Sequence, residues 1–171
     1  MRPINWRSFA YFYGAVTIPT LLIDQVTKAL AVARLEPNEA YPLLGSLLSL
    51  QLVRNPGAAF SFASSSTWVF TVVACVVIAA VAYIAPHVEH RWWLTVLGLL
   101  VGGAMGNLID RLIQPPAFGS GHVVDFLNYG GLFIGNVADI AIVAAVIGVV
   151  GLTLAGVPLG SPRRRRVEAR Q

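Results

Sequence analysis

The sequence predicts an all-α membrane protein, with four transmembrane helices, a small extracytoplasmic β-sheet subdomain and an interfacial loop. Composition points there first: 56% of the 171 residues are apolar and 12% are charged, against roughly 45 to 50% and about 25% in soluble domains. Mean hydropathy is +0.70. Four apolar windows, at about 9–30, 67–85, 93–113 and 132–156, approach or exceed the roughly 20 residues that a helix needs to cross a hydrocarbon core. Between the first two lies a stretch of about 35 residues, too long for a mere connector, with a strand-like alternation inside it. Residues 1–171 therefore read as one integral membrane domain without room for a soluble one.

In the first window, Arg2 and Arg7 precede an apolar run, and Ala29, Ala31 and Ala33 are small enough for signal-peptide cleavage. Asp24 and Lys28 inside the run, and its length, argue for a retained helix instead. Spaced i, i+4, these two share a face near the outward end and are expected to form a structural ion pair; Lys28 is the only lysine in the chain. The β region is expected at about 36–65. There Leu48, Leu50 and Leu52 alternate with Ser49 and Gln51, Asn55, Pro56 and Gly57 supply a turn, and Ala59 to Phe62 resume an extended pattern.

The second window carries the lone Cys75, which has no internal disulfide partner and reads as a packing residue. In the third, Gly98, Gly102 and Gly106 recur every four residues, the spacing that lets helix backbones approach closely. Gly103, Asn107, Asp110 and Arg111 follow on an adjacent face, where Asp110 and Arg111 are expected to scaffold a site. Asp125 lies in Val123–Leu127, an apolar patch too short to span and expected to rest at or dip into the interface. The fourth window brings Asn136 and Asp139 onto one face at i, i+3, expected roughly 7 to 12 Å below its outer end at about 1.5 Å per residue.

Arg2, Arg7, Arg91 and the basic tail at 161–171, with Arg163 to Arg166 and Arg170, assign both termini and the middle loop to the cytoplasm. The arginine run reads as a lipid and topology signal rather than a nucleic-acid site. His87 and His90 are then separated from His122 by the membrane, which argues against a shared metal site.

All four aspartates lie in or beside apolar stretches, and all four glutamates lie in polar ones. A carboxylate at membrane depth costs roughly 2.5 to 3.5 kcal/mol on insertion scales and is by default functional. Asp125 and Asp139 can meet at the outer boundary, where two close carboxylates share a proton and serve as general base and general acid around a water. Two other readings start from the same residues. A Ser/Lys peptidase would use Lys28 as base, which its pairing with Asp24 opposes. A small proton- or ion-conducting transporter would use Asp110, Asp125 and Asp139 as a relay, but residues 140–157 hold only Thr153 as a polar side chain.

The blocks Asp24–Lys28, Asn55–Phe60, Gly102–Arg111 (GGAMGNLIDR), Val123–Phe126 and Asn136–Asp139 resemble, in order, the signature motifs of lipoprotein signal peptidase, also called signal peptidase II. The resemblance implies a bacterial inner-membrane aspartyl endopeptidase that needs no cofactor. Its substrates would be prolipoproteins, cut just before a cysteine carrying diacylglycerol, with membrane lipids as surroundings and globomycin-type cyclic peptides as inhibitors. It implies Asp125 and Asp139 as the catalytic pair. Asn55, Gly57, Gly103, Asn107, Arg111, Asn136 and Ala138 would line or brace the site, with Asp24, Lys28 and Asp110 as structural support. One segment, Gln114 to Gly121 with its two prolines, is longer than the family pattern and leaves the motifs intact.

Overall fold

The computed structural model describes residues 6–57 and 67–159. The expected extended run at Ala59 to Phe62, Arg2 and the basic tail lie outside them. Among the described residues, four helices are long and apolar enough to cross a membrane: Tyr11–Arg34, Thr67–His87, Arg91–Ile113 and Val137–Leu154. The first comprises a π-helical stretch Tyr11–Thr17 and α2 (Ile18–Arg34), and a short α1 (Trp6–Ala10) precedes it. The wide turns end just before Pro19, which has no N–H with which to continue a regular ladder.

The other spans are α3 (Thr67–Ile84) with a 3-10 turn at Ala85–His87, α4 (Arg91–Ile113) and α5 (Val137–Leu154). Helix α4 is the central element, packed against each of the others. Its glycine ridge explains how. A Cβ on Gly98 would stand 2.8 Å from the Val16 side chain, and one on Gly102 would stand 2.7 Å from that of Thr20, so the first span lies directly on the α4 backbone. Gly106 makes room for the Asp24 carboxylate in the same seam, while Gly103 faces α5.

The β region forms a four-stranded antiparallel sheet in the order β1 (Ala40–Leu44), β2 (Leu48–Asn55), β3 (Val123–Asn128), β4 (Ile134–Gly135). Val123–Leu127, expected as a patch resting at the interface, is thus a strand paired with β2, and its apolar character comes from burial on both faces. Leu52, Val124 and Phe126 pack with Ala31 beneath the sheet, fastening it to the end of α2.

Helix α5 also starts later than its apolar window suggests. Leu132, Phe133 and Ile134 mimic the helix in composition, but they follow Gly130 and Gly131, both at positive φ, and lead into β4. The helix begins where Asn136 caps it. Asn136 and Asp139 therefore lie at the cap and first turn of α5, rather than roughly 7 to 12 Å below its outer end.

Candidate active site

Strand alternation sets the first carboxylate. Val124 and Phe126 point to α2, so Asp125 points the other way, and it is 1% exposed. It accepts hydrogen bonds from Asn55 Nδ2 at 2.7 Å and Asn136 Nδ2 at 2.6 Å. Asn55 is held in turn by the Gly57 N–H at 2.8 Å, in a turn where Gly57 adopts φ +97°, a conformation unfavourable to residues with a Cβ.

A helix cap sets the second. Asn136 Oδ1 accepts from the Asp139 N–H at 2.9 Å, and Asp139 Oδ2 accepts from the Asn136 N–H at 3.1 Å, a reciprocal capping box. Asn107 Nδ2 donates to the other Asp139 oxygen at 2.8 Å. Asn136 thus engages Asp139 with its backbone and amide oxygen while its amide nitrogen reaches Asp125. One residue ties the two carboxylates together.

Behind them lies a buried ionic cluster. Lys28 Nζ contacts Asp24 Oδ2 at 2.8 Å, Asp110 Oδ2 at 2.9 Å and Asn107 Oδ1 at 2.9 Å, which uses all three ammonium donors. Asp24 also accepts from the Ala138 N–H at 2.8 Å, and Asp110 from the Val124 N–H at 3.0 Å. The cluster therefore binds the first turn of α5 and the strand carrying Asp125 to α2 and α4. The expected Asp24–Lys28 pair is present, enlarged to a triad. Asp110 joins this triad rather than Arg111, because a one-residue step turns Arg111 roughly 100° around the helix.

Arg111 stacks its guanidinium over the Phe70 ring at 5.1 Å, and its Nη1 is buried without a hydrogen-bond partner among the described residues. It lines a cavity of about 590 Å³ together with Asn55, Gly57, Asp125 and Asp139; Pro56, Leu132, Phe133 and Ile134 give this cavity an apolar side. Burial pushes the Asp125 carboxyl up to about 7, and Asp139 adds to the rise, against the lowering effects of the Asn55 and Asn136 hydrogen bonds and of Lys28. Gly103 and Ala138 make the contact that seats α5: a Cβ on Gly103 would fall 2.6 Å from the Ala138 carbonyl oxygen. The Gln114 to Gly121 segment is tied down by Thr71 Oγ1 to the Gly119 carbonyl at 2.7 Å and by the Gly121 N–H to the Arg111 carbonyl at 2.9 Å.

Two contributors escaped the sequence reading. Gln25 donates to Asp24 at 3.2 Å and to the Gly106 carbonyl at 3.1 Å; its place beside Asp24 was the available signal. Phe70 looked like any apolar residue of a membrane helix. His87 and His90 flank the start of α4 and His122 follows its end, so the histidines stay apart.

Four membrane-length helices, with a pocket holding two linked carboxylates where α4 and α5 meet the sheet, define a multi-pass membrane protein of enzyme-like architecture. The signal peptidase (SPase) II family model matches residues 16–155. The lipoprotein signal peptidase of Leifsonia xyli subsp. xyli is 46% identical over 89% of this chain and 71% of its own, and that of Rhodococcus jostii is 46% identical over 84% and 73%. A solved structure described as "Bacterial membrane enzyme structure by the in meso method at 2.3 A resolution" aligns with TM-score 0.71 at 26% identity, covering 81% of this chain and 85% of that one. The chain belongs to the signal peptidase II family and is a membrane peptidase.

Proposed function

We propose that Asp125 and Asp139 are the catalytic pair of an aspartyl endopeptidase, acting on diacylglyceryl-modified prolipoproteins and cutting just before the lipidated cysteine. The observation that carries the reading is the double engagement of Asn136, which brings a carboxylate from β3 and one from α5 to the same cavity. A water between them loses a proton to the ionised carboxylate and attacks the scissile carbonyl, while the protonated carboxyl donates to the carbonyl oxygen. The roles reverse as the amine leaves, and no covalent enzyme intermediate forms. The pair titrates jointly, so protonation belongs to both groups.

Arg111 lines the cavity and would offer a guanidinium hydrogen bond to a substrate carbonyl, and the apolar side of the cavity receives the chain beside the scissile bond. Asn55, Gly57, Gly103, Asn107, Asn136 and Ala138 position the pair; Asp24, Lys28 and Asp110 hold the elements that carry it. In this reading the membrane is a bacterial inner membrane, with the termini in the cytoplasm and the site on the outer side, an orientation that the distribution of basic residues supports. Globomycin-type peptides are expected to occupy the cavity between the aspartates. A transmembrane relay is disfavoured, since Thr153 is the only polar side chain in residues 140–157.

The test is a gel-shift assay with purified protein in lipid. A prolipoprotein carrying diacylglycerol is expected to be cut to a product starting at the lipidated cysteine, in a reaction stopped by globomycin. Equal cutting of the unlipidated precursor, or cutting elsewhere, would contradict the proposed specificity.

A further inference from the structure

On the sheet side of the membrane, the stretches 31–66 and 114–131 contain Arg34 and Arg54 as their only basic residues other than His122. Both line one cavity of about 600 Å³ between the end of α2 and strand β2, which neither carboxylate of the pair lines and which shares Val53 and Arg54 with their cavity. Glu36 also lines it, leaving a net positive charge. Arg34 and Leu35 are shared with an adjoining groove of about 330 Å³, whose remaining wall is almost wholly apolar, from Leu30, Ala31, Leu50 and Phe126. Arg34 is the last residue of the first span, the depth at which a lipid headgroup meets its acyl chains. Among the described residues, no hydrogen bond or ion pair engages its side chain.

We propose that this pair of cavities binds a membrane glycerophospholipid with a net negative headgroup, its phosphate between Arg34 and Arg54 and an acyl chain in the Leu30–Phe126 groove. Guanidinium groups suit phosphate because their planar N–H donors match its oxygens in pairs. The groove alone would take any lipid; the arginines beside it select the anionic one. Arg54 also donates to Gln114 Oε1 at 2.6 Å and borders the carboxylate cavity, so a bound lipid would brace the β2 end that carries Asn55.

Photolabelling tests this in bilayer nanodiscs, with phosphatidylglycerol or phosphatidylcholine carrying a diazirine on one acyl chain. Wild-type protein is expected to show label on Thr27–Leu35 and on Leu50 or Phe126, stronger from the anionic lipid by about fivefold for each arginine engaged. In Arg34→Gln/Arg54→Gln the two lipids should label this groove equally, Arg34→Lys should keep most of the preference, and labelling of the α3 lipid face serves as the folding control. Equal labelling by both lipids in the wild type, or an undiminished preference in the double variant, would overturn the proposal. Glycerol phosphate at millimolar concentration should not displace the lipid; full displacement would reassign the site to a soluble phosphate.

Discussion

Asn55 and Lys28 act on the carboxylates in different ways. Asn55 donates one of the two hydrogen bonds that favour ionised Asp125 against its burial. An enzyme whose pair shares one proton loses its general acid when that proton leaves, so kcat/KM should fall as pH rises through about 7. Removing the Asn55 donor raises the Asp125 carboxyl further, and the alkaline limb of Asn55→Ala should move to higher pH alongside its lower activity. An unmoved limb, or one shifted to lower pH, would count against Asp125 as the titrating group. Lys28, 3% exposed, is the shared ion-pair partner of two buried carboxylates. Lys28→Met should therefore lower stability in detergent by about 3 to 5 kcal/mol in a denaturation measurement, because breaking a buried pair leaves uncompensated charge.

Each carboxylate comes from an element whose local rule aims it. In β3, alternation separates Asp125 from Val124 and Phe126; in α5, the capping box fixes Asp139 at the first turn. Gly103 controls how closely α5 approaches α4. In Gly103→Ala the new methyl meets the Ala138 backbone, which cannot swing aside as a flexible side chain would. The first turn of α5 must shift, and misplacement on the order of an ångström costs about 10²-fold in rate. The expected result is a strong loss of kcat with the protein still inserted, whereas Gly151→Ala, facing open space on α5, should be near normal. Equal activity of both variants would contradict this account of the seam. The helices, the glycine ridge and the Asp24–Lys28 pair were legible because each depends on short-range spacing. The true start of α5 was not, since Leu132 to Ile134 carry helix-like hydropathy, and the Gly130–Gly131 turn, the pairing of β4 with β3 and the Asn136 cap together keep them out of the helix.

Across the whole molecule, the site forms where the sheet meets the ends of the helices, and no single segment contains it. The sequence motifs named most of the side chains that meet there, but few of their connections. That Lys28 joins Asp24 to Asp110, that Asn136 joins Asp125 to Asp139, and that Phe70 supports Arg111 are long-range contacts without a local periodicity to announce them. The central claim is that the two linked carboxylates do the chemistry. It is tested most directly by measuring cleavage of a diacylglyceryl-modified prolipoprotein by Asp125→Asn and Asp139→Asn, each confirmed as folded and membrane-inserted. Each variant is predicted to leave the substrate at its precursor mobility; near-normal cleavage by either would contradict the account.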